Sequence, residues 1–242
     1  LWKFSIGISM TAIFALIIAN IDRVAITALL TTEDMGYYTI AYSAAIILQM
    51  GIQPFYKSYY PRYSELHDNN DEQNLIKEYF KSCSMMSSVI FPIIMVGFFF
   101  APQLFEIWLN DSYEISVLIF QFLLIGIGLS GLMWLPAALQ HAYGWTSLHL
   151  KMLFLAIIIG SPLMIIIIKE YGVVGATTVW VVHGVIEIMV SPYLMHKKIL
   201  TCKLKEWLVK IILKPFFITF TVTFIFSFLT PKDINSFFML AW

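Results

Sequence analysis

Apolar residues in this chain run for some twenty positions at a time and stop only at short polar clusters. Stretches at about 4–30, 37–60, 80–109, 115–143, 150–168, 173–195 and 207–229 each offer the ~20 residues a helix needs to cross a hydrocarbon core of about 30 Å. The stops between them are polar or turn-forming: Thr31-Thr32-Glu33-Asp34-Met35-Gly36, Pro61-Arg62, Asn110-Asp111-Ser112 and Lys169-Glu170-Tyr171-Gly172. A hydrophilic connector, His67-Asp68-Asn69-Asn70-Asp71-Glu72, separates the second stretch from the third, and Pro231-Lys232-Asp233 precedes a further apolar run at 236–242. Strands fit poorly. Lipid admits only helices or closed barrels, because backbone groups must find partners internally. Barrel strands alternate over about ten residues, and Ile165-Ile166-Ile167-Ile168 does not alternate. The pattern predicts an all-α, polytopic transmembrane bundle of about seven spans plus a truncated eighth. Residues 1–200 read as one six-helix unit, and 201–242 as an additional helix and the start of another.

Composition agrees. The chain is 60% hydrophobic and 12% charged, with a mean hydropathy of +0.81; a soluble domain is roughly 45–50% apolar and about 25% charged. A formal charge of zero points to no nucleic acid. Cys83 and Cys202 stand far apart, without a CxxC or Cys/His spacing, so metal, haem and redox chemistry find no support and no cofactor is expected. A phosphate-cradling glycine loop, GxSxG and HExxH are likewise missing from the sequence, which argues against an enzyme. The first residue is not Met and the last residues lie inside an apolar run, so a piece of a longer protein is expected.

Charge then orients the bundle. With the N-terminus cytoplasmic, one side carries Lys3, Lys57, Arg62, Lys77, Lys81, Lys151, Lys197, Lys198, Lys203, Lys205, Lys210 and Lys214, and the other only Lys169 and Lys232. Lys and Arg stay on the cytoplasmic side during insertion, so this asymmetry sets the direction of every span. Pro54, Pro92, Pro136, Pro162 and Pro215 are expected to bend their helices. Gly126, Gly128, Ser130 and Gly131 are expected to let neighbouring helices come close.

Ionisable and polar groups inside a span are costly and face protein or a watery cavity. Three clusters stand out. In the first span, Ser5, Ser9, Ala12, Leu16, Asn20, Arg23 and Thr27 share a face. Arg23 could hold a phosphate through its planar fork of donors, with Asp22 as counter-ion or coupling-ion site; a structural ion pair to another helix explains the same residues. In the second, Tyr38, Tyr42, Ala45, Gln49, Gln53, Tyr56 and Tyr60 form a stripe, with Lys57 beside it. Gln amides and aromatic faces suit a glycan, although Tyr38, Tyr56 and Tyr60 also sit where interfacial tyrosine is common. In the sixth, Trp180, His183, Glu187 and Ser191 align. His183 and Glu187, at i and i+4, could carry protons or simply fix helix packing.

The order Asn20-Ile21-Asp22-Arg23, Gly36-Tyr37-Tyr38-Thr39-Ile40-Ala41-Tyr42 and Pro61-Arg62-Tyr63-Ser64-Glu65-Leu66 resembles the polysaccharide-biosynthesis (O-antigen) flippases of the MOP superfamily, where their second six-helix bundle begins. Further matches are Phe100-Ala101-Pro102 with Trp108-Leu109, Leu135-Pro136-Ala137-Ala138-Leu139-Gln140 with Gly144, and Tyr171-Gly172-Val173-Val174-Gly175-Ala176. The resemblance implies two pseudo-symmetric bundles around a central cavity in the bacterial cytoplasmic membrane, working by alternating access. Its cargo would be an undecaprenyl-pyrophosphate-linked oligosaccharide, and its partners membrane lipids and a missing N-terminal bundle. The cavity residues so implied are Asn20, Asp22, Arg23, Tyr42, Gln49, Gln53 and Lys57, with His183 and Glu187 as the coupling pair. The extra helix after 200 departs from a twelve-helix layout and suggests fourteen. A cation-coupled multidrug exporter of the same superfamily stays open, as do a polysaccharide polymerase or acyltransferase and a non-transporting subunit of the glycan assembly machinery. The short outer loops speak against the membrane enzymes.

Overall fold

A computed structural model describes residues 2–109, 114–200 and 204–229, with side chains from residue 6 onward. The described residues are almost entirely helical: α1 Trp2–Leu29, α2 Thr32–Asp68, α3 Glu72–Phe99, α4 Ala101–Leu109, α5 Glu114–Leu132, α6 Trp134–Ala142, α7 Ser147–Leu155, α8 Ser161–Lys198, α9 Leu204–Trp207 and α10 Lys214–Leu229. Among the described residues, five helical segments are long and apolar enough to cross a membrane: Ile6–Leu29, Glu72–Phe99, Glu114–Ala142, Ser147–Lys198 and Leu204–Leu229. The chain is therefore an all-α, multi-pass membrane bundle. The turn expected at Asn110-Asp111-Ser112, Cys202 and the apolar run after residue 229 lie outside the described residues.

Local sequence explains where the helices start, stop and bend. Thr31 and Asp34 cap α2 reciprocally: Asp34 N–H donates to Thr31 Oγ1 at 3.2 Å, and Thr31 N–H to Asp34 Oδ2 at 3.1 Å. After α2, Asn70 takes a left-handed turn at φ 56°. Asp71 then caps α3, accepting from Asn74 N at 3.2 Å and Asn74 Nδ2 at 2.8 Å. Those two donors hold the Asp71 carboxyl below its ordinary range. A depressed folded value means that this cap is intact at neutral pH and is lost only as acid protonates the group.

The stretch expected as one span over 115–143 is two helices meeting at Met133. Pro136 cannot donate to the carbonyl of Leu132, and Met133 N instead closes a tighter turn on Ser130 O at 3.0 Å. Pro162 and Pro215 act differently. The π-helical segments Ala156–Gly160 and Leu208–Leu213 lie immediately upstream of them, where a widened turn accommodates the missing donor. The segment Ser147–Lys198 is no single rod either: Gly172 breaks α8 at φ 62°, ψ −146°, a conformation open to glycine. Met152 and Met164 before the break line one apolar pocket with Val179, His183 and Val190 after it, so the chain doubles back there. The turn expected at residues 169–172 ends at this break.

The bundle is layered. In their most apolar stretches α5–α6 and α3 are the most enclosed, with 56% and 44% of residues buried against 17% for α1 and 11% for the segment Leu204–Leu229. Gly126 of α5 crosses α8 so closely that a Cβ there would stand 2.9 Å from the Trp180 backbone carbon. Gly184 of α8 makes the reciprocal approach, 2.8 Å from Leu129 Cβ. This is the small-residue contact that brings membrane helices together. On the far side, α10 packs on α3 through Phe91–Phe216 and Phe99–Phe220, both with ring centroids at 5.9 Å. The helix α2 runs 37 residues, about 55 Å at ~1.5 Å per residue. It is not among the five segments apolar enough to cross a membrane, and it does not stop at Pro61-Arg62 as expected but runs on through Pro61 to Asp68.

Candidate functional site

Polar side chains converge between α1, α2 and α8. Asp22 is fully buried and its oxygens are occupied. Tyr38 Oη donates to Oδ2, Trp180 Nε1–H donates to the same oxygen at 2.8 Å, and Arg23 N–H donates to Oδ1 at 2.7 Å. One carboxyl group thus ties three helices together. Arg23 takes no part through its side chain. Its guanidinium lies over the Tyr42 ring, 4.1 Å from the centroid, and Tyr42 stacks on Tyr38 at 5.9 Å. Among the described residues the Arg23 side chain makes no ion pair. The two neighbours therefore have separate surroundings, and their side chains do not form a pair with each other or across helices.

Beside this junction lies a cavity of about 500 Å³, within the ~300–1,000 Å³ of small-molecule sites. Its α1 wall is Ile8, Thr11, Ala12, Ala15, Ile18 and Ala19. That face shares only Ala12 with the face singled out in the sequence. Asn20 is exposed and returns its amide to Leu16 O at 2.8 Å. From α2 come Tyr42, Gln49, Tyr56 and Tyr60. Gln53 and Lys57 point elsewhere, exposed and joined by a 3.3 Å bond from Lys57 Nζ to Gln53 Oε1. The α8 wall contributes Trp180, His183 and Glu187, with His183 Nε2 3.7 Å from Glu187 Oε2. Among the described residues Glu187 is the single acid in the lining, and no Lys or Arg lines it.

Of the residues singled out in the sequence, Ala12, Tyr42, Gln49, Tyr56, Tyr60, Trp180, His183 and Glu187 meet at this cavity, while Asp22 and Arg23 flank its Trp180 end. Several lining residues were not foreseen: Ser130 of α5, Trp134 and His141 of α6, and His149 of α7. A signal for His141 exists in the sequence, since an ionisable residue inside an apolar stretch is itself a flag, and it follows directly on the Leu135–Gln140 motif. His149 opens a new helix and carries no such mark. The three histidines spread along the wall, and among the described residues no group of three or more His, Cys, Asp or Glu is placed to hold a metal ion.

Comparison with known proteins points in one direction. A family profile described as "Polysaccharide biosynthesis protein" matches residues 1–118. A protein of Shigella flexneri described as "Putative O-antigen transporter" is 22% identical over 197 residues, 80% of this chain and 46% of its own length. The chain thus spans about half the length of that curated relative. No solved structure matches significantly. Taken with the fold, these similarities make the chain a multi-helix membrane protein distantly related to proteins of polysaccharide biosynthesis and O-antigen transport.

Proposed function

We propose that this chain forms the second bundle of a flippase that moves undecaprenyl-pyrophosphate-linked oligosaccharide from the inner to the outer leaflet of the bacterial cytoplasmic membrane. The observation that carries the reading is the cavity: hydrogen-bonding groups and aromatic rings, with Glu187 the one acid among its described lining residues, beside an arginine whose side chain has no ion-pair partner among the described residues. Oligosaccharide suits the first, a pyrophosphate the second. The family and relative named above bring polysaccharide and O-antigen into the same frame. Two pseudo-symmetric bundles around a shared path would work by alternating access, the first bundle being supplied by the rest of the protein. The seven-span count and the twelve- or fourteen-helix layout belong to this reading. Depleting the full-length protein in its host tests it: lipid-linked oligosaccharide is expected to accumulate facing the cytoplasm while surface glycan disappears. Full surface glycan in cells lacking the protein would sink it.

A second reading rests on a specific observation. Glu187 is the one acid or base of fixed charge among the described lining residues, and a carboxyl among aromatic rings also suits a lipophilic cation. A cation-coupled multidrug exporter would then expel cationic dyes from cells expressing the full-length protein, independently of any glycan pathway.

Orientation follows the positive-inside split. The Thr31–Asp34 cap is placed outside and the Pro61–Asp68 end of α2 in the cytoplasm. A cysteine replacing Asp34 is expected to react with an impermeant thiol reagent added to intact cells, and one replacing Asp68 only after permeabilisation. The opposite labelling would reverse the bundle and the direction of transport.

His183 and Glu187, adjacent on the cavity wall, are assigned to coupling. In the full-length protein Glu187→Gln is expected to flatten the pH dependence of transport at normal protein levels. Unchanged pH dependence, or a protein lost from the membrane, would mark the pair as structural.

A further inference from the structure

Tyr56 and Tyr60 stand near the end of α2 where membrane proteins carry interfacial tyrosine, yet both line the cavity. Tyrosines of this chain that are open to the surroundings look different: Tyr171 is 73% exposed and Tyr193 53%. Around Tyr56 the cavity gathers rings from three helices. Tyr60 stacks on it at 5.7 Å and 14°, and Trp134 meets it edge-on at 6.2 Å and 88°. His141 also meets it edge-on, with Nδ1 3.0 Å from the Tyr56 hydroxyl, and His149 follows 5.8 Å beyond.

Packing alone does not account for this group, because polar capacity is left over. His141 Nε2 is buried without a hydrogen-bond partner. The Tyr60 hydroxyl and the His149 ring make no hydrogen bond among the described residues, although both border the cavity. Unpartnered donors and acceptors beside a cavity invite a polar occupant. The chemistry of that occupant is constrained. Among the described residues no Lys or Arg lines the cavity, so none of them offers a pyrophosphate a fixed cation here. Nor does any acid stand in this ring cluster to favour a cation. A pyranose offers what fits: C–H bonds on one face, which lie well on an electron-rich ring, and hydroxyls around its edge that both donate and accept.

We propose that Tyr56, Tyr60, Trp134, His141 and His149 form a subsite for a sugar ring, at the end of the cavity away from Arg23. The subsite rests on the flippase reading for its cargo and on the positive-inside orientation for its place, the cytoplasmic half of the path. There it meets the glycan at loading, while Arg23 lies towards the outer side.

Photo-crosslinking in living cells separates this proposal from the reading it rests on. The full-length protein is made with p-benzoylphenylalanine in place of Tyr60 or Trp134, in place of Gln49 in the mid-cavity, and in place of Tyr193 on the exposed surface. Adducts are identified by mass. Sugar-bearing lipid is expected at Tyr60 and Trp134 and not at Tyr193. Sugar adducts at Gln49, with only phospholipid or nothing at Tyr60 and Trp134, would overturn the subsite and leave the flippase standing. No sugar at any position, Gln49 included, would overturn both. As a second readout, Trp134→Ala is expected to lower transport per folded molecule at least tenfold and Trp134→Phe, which keeps a ring, at most a few-fold. Equal loss in the two would also contradict the subsite.

Discussion

Arg23→Ala is expected to cut surface glycan per folded molecule of the full-length protein by one to two decades. The structure sharpens the reason. An arginine at this depth is costly and needs a partner, and the obvious one, Asp22, is taken by Tyr38, Trp180 and the Arg23 backbone. What the guanidinium has is the face of Tyr42, which steadies a cation without using its five N–H donors. Losing a charge-assisted contact to a phosphate costs about 1.5–3 kcal/mol, which is roughly one to two decades in affinity. Arg23→Lys keeps the charge but not the planar fork and should restore part of the activity. Normalising to folded protein in the membrane matters, because a structural role would show as lost protein instead. A wild-type rate per molecule for Arg23→Ala would remove the phosphate from this site.

The second large effect belongs to the neighbouring residue and is of another kind. Asp22→Ala takes away the acceptor for Tyr38 Oη and Trp180 Nε1–H at once, where α1, α2 and α8 meet. Orphaned buried donors cost about 1–3 kcal/mol each, and partners found elsewhere in a membrane protein soften that figure. A loss of about 2–4 kcal/mol is expected, read as a lower unfolding temperature of the purified protein. Trp180→Phe removes one donor and should cost about 1 kcal/mol. An Asp22→Ala protein as stable as its parent would show that the junction holds nothing together. Adjacent residues thus separate cleanly: one variant loses transport, the other loses fold.

Legibility in the sequence followed physical scale. Long apolar runs are dictated by the bilayer, so the helical character and the reversal at Gly172 could be read directly, whereas the continuation of α2 through Pro61 to Asp68 and the break between α3 and α4 could not. Breaks within spans were harder. Each depends on one proline, and the same residue type divides α5 from α6 at Pro136 yet yields a π-turn ahead of Pro162 and Pro215. Helical periodicity groups the α1 residues by face but does not say which face meets the cavity. Neighbours decide that, and here α7 and α8 turn Thr11, Ala15 and Ile18 inward and leave Asn20 outside. Asp22 looked like half of an ion pair because the adjacent residue is Arg23. Its real partners, Tyr38 and Trp180, are 16 and 158 positions away, a separation no local pattern reveals. His141 and His149 belong to different helices and become a cluster only after the chain turns between them.

Flipping itself is the most direct test. The purified full-length protein is reconstituted in vesicles with a fluorescently tagged undecaprenyl-pyrophosphate oligosaccharide, and the fraction of tag reachable by an impermeant quencher is followed over time. The account predicts that the protein equilibrates the tagged lipid between leaflets far faster than protein-free vesicles, and that Arg23→Ala slows this by at least tenfold. Exchange no faster with the protein than without it would contradict the account.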